Sequence, residues 1–364
     1  MNARTQPVSV LVAGLGNMGL SHALAYERNP GFAIAGLVNR SRVTLPEELA
    51  AHPQHRSFEE SLEELKPELC AIATYSDSHA DYAIKALEAG AHVFVEKPLA
   101  TTVADARRVV DCARANNRKL VVGYILRHHP SWQTLIAEAR ELGGPYVFRM
   151  NLNQQSSGPT WETHRRLMST TPPIVDCGVH YVDVMCQITD AAPVEVRGMG
   201  LRLADDIAAD MYNYGHFQVL FDDGSVGWYE AGWGPMMSET AYFVKDVISP
   251  KGAVSIVMDE GGDEGEGGGA RSDDIDGHTR TARIRVHRAE RGADGRFTRP
   301  DRDLDMTDEP GHLELCAREQ AFMLAAIRED IDLERHMLDA VRSLHICLAA
   351  DESVRSGRPV SLRG

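Results

Sequence analysis

The chain has 364 residues, 43% of them hydrophobic and 25% charged, with a formal net charge of −15. That length exceeds one ordinary core and predicts two domains, and no apolar run approaches the roughly 20 residues of a membrane span. The acidic balance excludes a basic stripe for a nucleic-acid backbone, although a small anion in a local cationic pocket stays compatible with it.

The opening MNARTQPVSVLVAGLG carries a short apolar run that leads straight into a glycine turn, so it reads as a first strand and not as a signal peptide. Up to residue 125, strand and helix alternate. VSVLVAG (8–14) is a buried strand, MGLSHALAYER (18–28) a helix stopped by Asn29-Pro30-Gly31, and FAIAGLV (32–38) a second strand. LCAIAT (69–74), HVFVEK (92–97) and KLVVGY (119–124) are further strands, with helices over 78–90 and 102–117 between them. Continuous β-branched strands between amphipathic helices mean a parallel sheet covered on both faces, a doubly wound Rossmann-type domain over 1–125.

Beyond residue 125 the pattern changes. Stretches 145–153, 194–203, 213–232 and 281–289 read as longer strands with alternating faces, and Asp222-Asp223-Gly224 is a hairpin turn. The expectation for 126–364 is an α+β domain built on a large, mostly antiparallel open sheet, whose free face suits a second subunit. Residues 259–277 hold eight acids against one arginine and read as a solvated surface loop. From 313 to 356 the pattern is helical again, and these helices are candidates to pack back on the first domain. Cys70, Cys112, Cys177, Cys186, Cys316 and Cys347 are widely spaced with no C-x-x-C, which suits reduced, buried thiols and a cytoplasmic setting.

Gly14-Leu15-Gly16-Asn17-Met18-Gly19 follows a strand and opens a helix, the context in which this glycine spacing binds a dinucleotide. Gly14 allows the tight turn, Gly16 lets backbone approach a pyrophosphate and Gly19 permits close helix–strand packing. The helix start supplies free N–H groups to the diphosphate. The plain alternative is a glycine turn without ligand. At the end of the second strand, where an acid ordinarily holds the ribose, Asn39 and Arg40 stand instead. A guanidinium without a neighbouring acid favours NADP over NAD, although Arg40 is also able to stack on adenine or face solvent.

Three stretches together resemble the Gfo/Idh/MocA family of nicotinamide-dependent oxidoreductases: Gly14–Gly19 with His22 three residues on, VEKPLA (95–100), and Asp176-x-x-x-His180. ATYSDSHADYAIKALEAGAHVFVEKPLA (73–100) resembles the family's segment nearly end to end, and GYILRHHP (123–130) looks like its crossing between domains. The resemblance implies that Asn17, Met18, Thr74, His79, Glu96 and Lys97 also line the cofactor. It also implies that Arg127, Trp161 and His164 approach a polyhydroxylated substrate, and that the protein is a homodimer or homotetramer. Departures are Tyr75 where proline is usual, Thr170-Thr171-Pro172-Pro173 in place of a glycine-rich run, and the acidic stretch 259–277. Packing or surface roles remain the alternative for Arg127, Trp161 and His164.

Oxidising a secondary alcohol requires hydride loss from carbon and proton loss from oxygen. Lys97 ends a strand at the carboxyl edge, where ligands of such sheets sit, and as a cation suits a developing alkoxide. His180 is the candidate base, since a helix N-terminus disfavours its imidazolium. Asp176 one turn earlier orients it, or is simply the N-cap of a helix from 178 to 188, and the two roles are compatible. His128-His129 has no companion acid or cysteine nearby in sequence, so no metal is expected. The reading is an NAD(P)-dependent oxidoreductase acting on a sugar, sugar derivative or inositol. A redox-neutral glycosidase or epimerase that retains NAD, and a non-catalytic NAD(P)-binding regulator, are the alternatives.

Overall fold

The computed structural model describes residues 6–237, 244–257 and 281–363; the acidic stretch 259–277 lies outside the described residues. Two units are present, Met1–Ile125 with His312–Leu344, and Leu126–Gly311 with His345–Gly364. Among the described residues, no helix is long and apolar enough to cross a membrane.

In the first unit, strands β1 (Val8–Ala13), β2 (Phe32–Val38), β3 (Gln54–His55), β4 (Leu69–Ile72), β5 (His92–Glu96) and β6 (Leu120–Gly123) form one parallel sheet in the order β3-β2-β1-β4-β5-β6. Helices α1 (Asn17–Arg28), α2 (Phe58–Leu65), α3 (Ser76–Glu88) and α4 (Val103–Ala115) connect the strands. The central strands β1 and β4 are buried along almost their whole length, because helices cover both faces of a parallel sheet. The order reverses at β1 and β4, and ligands of such sheets bind beyond the strand ends at that point. Ser57 and Thr102 start α2 and α4 by accepting the N–H groups of Glu60 and Asp105. The segment from 47 to 65, which holds β3 and α2, adds to the predicted series, and Phe58, Leu62 and Leu65 at i, i+4 and i+7 give α2 its apolar stripe.

The second unit holds a nine-stranded sheet. Its members are β7 (Val147–Gln155), β8 (Pro193–Leu201), β9 (Tyr214–Phe221), β10 (Val226–Gly234), β11 (Lys245–Ser249), β12 (Gly252–Val257), β13 (Arg283–Arg288), β14 (Arg302–Asp305) and β15 (Val360–Ser361). The pairing of β7 with β10 is parallel and the rest is antiparallel. Phe221 N–H closes on the Ser225 carbonyl over the Asp222-Asp223-Gly224 turn, where Gly224 has φ +86°. Helices α5 (Pro130–Leu142), α6 (Gly158–Leu167), α7 (Pro173–Asp176) and α8 (Gly178–Ile188) pack on one face. On the other face Val147, Met199, Leu201 and Leu220 are exposed, Met199 to 69%. Strand alternation puts them on one side, since Met199 and Leu201 stand opposite His216 and Tyr214, and Leu220 opposite Val226.

The C-terminal helices are α9 (His312–Arg328) and α10 (Glu334–Ser356). Met323, Ala326 and Leu333 are buried in the same core as Val10, Val12, Tyr26 and Phe94, so the first unit takes core side chains from 200 residues downstream. His336 Nε2 accepts the Val122 N–H at 2.8 Å, and Tyr124 and Ser343 share a hydrogen bond at 2.9 Å. Met323 has no exposed surface. Met323→Ala should therefore lower the unfolding free energy by about 2–5 kcal/mol, read from urea denaturation, with the m-value unchanged.

Candidate active site

The glycine turn between β1 and α1 is built by contact. Gly14 has φ +89°, and a Cβ there would lie 2.4 Å from the Ala73 carbonyl oxygen. A Cβ on Gly19 would lie 1.8 Å from the Gly14 oxygen. Gly16 is different: it has φ −75°, and a Cβ on it would meet nothing within 4 Å. The fold therefore has no need of a glycine at 16, whereas a ligand approaching the backbone does. Among the described residues no side chain caps α1 and no acid lies in its first turn, so the amides from Asn17 and Met18 onward are open to an anion. These features fit the diphosphate of a dinucleotide.

Asn39 ties the end of β2 to this turn, accepting the Leu15 N–H at 3.2 Å and donating to the Ser41 carbonyl at 2.8 Å. Arg40 and Arg42 are exposed beside it. A cavity of about 290 Å³ opens here, lined among others by Asn39, Arg42, His55 and Arg56. Arg42 and Arg56 thus join Arg40 as local cations, which sequence order alone did not bring together.

At the ends of β4 and β5 the predicted cofactor residues play two kinds of part. Thr74 is half-buried and shares a hydrogen bond with Ser78 at 2.7 Å. His79 is buried between the Pro98 carbonyl, 2.8 Å from Nδ1, and the Thr74 carbonyl, 3.0 Å from Nε2. Burial pushes its pKa down, so the neutral ring donates to one carbonyl at a time and braces the two loops against each other. The Glu96 carboxyl points inward, 2.7 Å from His22 Nε2, and its other oxygen accepts the Lys97 N–H at 3.1 Å. Lys97 itself is half-buried at the strand end.

In the second unit the helix that carries His180 starts differently from the expectation. Pro172 and Pro173 open a turn of their own, α7, because proline at the first positions presets φ and lacks only an N–H that would have no partner there. The Pro172 carbonyl accepts from Val175 and Asp176. Asp176 therefore ends α7 and is not an N-cap. Cys177 occupies that place before α8, and no side chain caps it. Asp176 is 5% exposed, and His180, half-buried, follows in the first turn of α8.

Three residues assigned to substrate have partners within this unit. The Arg127 guanidinium forks onto Asp183 at 2.6 and 2.8 Å, and Gln187 adds a third bond to the same carboxylate. That pairing clamps the segment after β6 to α8. Trp161 Nε1 donates to Asp206 at 3.0 Å. His164 bonds Ser156 at 3.0 Å and stacks on Trp233 with centroids 4.4 Å apart.

Sequence order also hides several polar groups. His129 Nδ1 lies 3.7 Å from Glu309, so an acid distant in sequence does accompany the histidine pair. Lys245 is buried with its ammonium 4.8 Å over the Tyr181 ring, and burial lowers its pKa to about 7. Among the described residues the six cysteines form no disulfide, and burial raises the thiol pKa of Cys70, Cys316 and Cys347. Glu319 and Gln320 on α9 meet His22, and no spacing in the sequence marks them.

Residues 8–124 match the GFO_IDH_MocA family described as "Oxidoreductase family, NAD-binding Rossmann fold", and residues 134–244 match "GFO/IDH/MocA C-terminal domain". The inositol 2-dehydrogenase of Salmonella typhimurium is 25% identical over 182 residues, 48% of this chain and 52% of that protein. The UDP-N-acetylglucosamine 3-dehydrogenase of Acidithiobacillus ferrooxidans is 28% identical over 208 residues, 55% and 60% of the two chains. The chain thus spans about half the length of the curated relatives it matches. The crystal structure of an NAD binding oxidoreductase from Klebsiella pneumoniae shares the fold, with a TM-score of 0.76 at 18% identity over 98% of this chain and 100% of that one.

The glycine geometry separates fold from ligand. Gly16→Ala should keep the melting temperature and weaken NAD(P) binding at least tenfold by fluorescence titration, while Gly19→Ala should lower the melting temperature itself. Equal loss of stability in both variants would mean that Gly16 serves the fold.

Proposed function

The chain belongs to the Gfo/Idh/MocA family of oxidoreductases, and on that premise we propose that it passes hydride between NAD(P) and a secondary alcohol or carbonyl of a sugar, sugar derivative or inositol. The observation that carries the reading is the uncapped start of α1 behind Gly16, a cradle that a Cβ would fill and that the fold does not need. The two curated relatives are by name dehydrogenases of an inositol and of a sugar nucleotide, which supports the substrate class.

When bound, the nicotinamide supplies the hydride acceptor or donor. In this proposal His180 takes the hydroxyl proton of the alcohol, and Asp176, one helical turn before it, orients the ring. The Lys97 ammonium stabilises the oxygen as negative charge develops on it and shares the proton. Arg40, with Arg42 and Arg56 nearby and no acid at the end of β2, supports a preference for NADP. The exposed apolar residues of the open sheet face, Met199, Leu201 and Leu220 among them, support a homo-oligomer formed with a second copy.

Absorbance near ~340 nm, followed with NAD or NADP and a panel of polyols and sugars, tests the activity. Net reduced cofactor supports a dehydrogenase, whereas turnover without accumulation overturns it in favour of a redox-neutral reaction. Lys97→Ala and His180→Ala should each lower kcat by a factor on the order of a hundred while cofactor affinity persists. Arg40→Ala should weaken NADP about tenfold and leave NAD nearly unchanged, and equal losses would refute the NADP preference.

A further inference from the structure

Behind the strand end that carries Lys97, the first unit buries a chain of polar side chains. The Tyr26 hydroxyl lies 2.5 Å from Gln320 Oε1. That separation suits O–H···O and is too short for N–H···O, so the phenol donates and the amide orientation is set. Gln320 Nε2, a donor only, then faces His22 Nδ1 at 3.0 Å. Nδ1 accepts, the ring proton sits on Nε2, and Nε2–H donates to Glu96 Oε1 at 2.7 Å. Glu96 Oε2 takes the Lys97 N–H. Space for this carboxylate comes from Gly123 on β6, where a Cβ would lie 3.1 Å from Glu96 Oε1.

Glu319 is the next carboxyl. It is 1% exposed, and among the described residues neither of its oxygens has a hydrogen-bond partner. The two carboxyls sense each other's charge, and a second anion there has nothing to hold it. Glu96 accepts from His22 and from the Lys97 N–H, and among the described residues Glu319 accepts from nothing. Among the described residues, the titratable groups around the pair include His22 and Tyr26 on α1, Cys70 on β4, His79 on α3, Lys97 after β5, and His312 and Cys316 on α9. His22, Cys316 and Glu319 also present ligand atoms within 4.8 Å of one another. A metal there would have to displace Glu96 or Gln320 from an imidazole whose two nitrogens are already engaged, and burial keeps the Cys316 thiol protonated.

We propose that Glu96 and Glu319 form a buried pair sharing one proton, in which Glu319 holds the proton. Tyr26, Gln320 and His22 are positioning residues that keep Glu96 as the anion anchoring the Lys97 backbone. The functional consequence rests on the reading of Lys97 as a catalytic residue; the location of the proton does not. Unfolded glutamate ionises above about pH 4.3 while Glu319 stays neutral, so the native state binds the extra proton. Glu319's contribution to stability is therefore full below about pH 4.3 and falls as pH rises, until Glu319 itself ionises. That slope is absent once the residue is an amide.

Infrared spectroscopy of the full chain at neutral pH should show the carbonyl band of a protonated carboxylic acid, shifted in D2O and missing from Glu319→Gln. Glu319→Gln should also lose less melting temperature than the unmodified protein between about pH 6 and pH 9. Tyr26→Phe and Gln320→Leu, which free the imidazole to change tautomer, should lower kcat about fivefold and move its pH profile with NAD(P) affinity unchanged. A band that survives in Glu319→Gln, a protein without such a band, or stoichiometric zinc found by metal analysis would overturn the proposal. If the protein turns over no polyol or sugar, the infrared and melting results still decide where the proton is.

Discussion

Gly19 stands so close to the Gly14 carbonyl that a side chain there would begin 1.8 Å from the oxygen, and Gly14 is pressed in the same way against Ala73 at the end of β4. Backbone meets backbone at both places, which sets the line along which α1 leaves the sheet. One end of that line is the uncapped helix start facing a ligand. Along the same helix, His22 and Tyr26 are one turn apart on the inner side and reach Glu96 and Gln320. A single steric constraint therefore orients both the outer anion cradle and the inner polar chain. The anchor of Lys97 depends on it as well, since Glu96 is held by His22.

The second unit rests on side chains instead. Tyr181 on α8 stacks on Tyr229 with centroids 5.0 Å apart and meets Trp132 of α5 edge-on at 5.5 Å. These rings seat α8 on the helix-covered face of the sheet. Asp183, two residues further on, is fully buried and pulls in Arg127. Buried charge of this kind is tolerable because the fork satisfies both carboxylate oxygens. His180 sits one residue before Tyr181, so the aromatic packing sets the rotation of the turn that carries it.

Much of this was legible in the sequence where the governing physics is local. Strands buried on both faces read as largely apolar, β-branched runs, so β1, β5 and β6 were recognisable with their order and type. The nine-stranded sheet was legible only as alternating strands, and its parallel pairing of β7 with β10 was not, because register is decided by partners far apart in the chain. Beside its orienting role Asp176 was open to being an N-cap, because a carboxylate before an apolar run ordinarily fills that role. The two prolines before it start a turn earlier and take that role away. The partners of Arg127, Trp161 and His164 were not legible because Asp183, Asp206 and Trp233 lie 56, 45 and 69 residues away from them. Glu319 was invisible for the same reason: on an amphipathic helix it looks like any solvated acid, and only the packed core shows that it is buried.

The interior of the first unit leaves that acid's proton few places to go. If His22 took it, Nδ1–H would face the amide hydrogens of Gln320 at 3.0 Å, donor against donor. Gln320 cannot turn to relieve the conflict, since its carbonyl is held by Tyr26 at a distance that only an O–H donor accommodates. If Glu96 took it, the bonds from the Lys97 N–H and the His22 Nε2–H would lose their anionic acceptor, and hydrogen bonds to a charged group are the stronger ones. Glu319, with nothing donating to either oxygen, gains least from being charged and loses least by staying neutral. The donors around Glu96 thus decide the state of a residue to which they make no hydrogen bond, and the charge stays at the carboxyl adjoining Lys97.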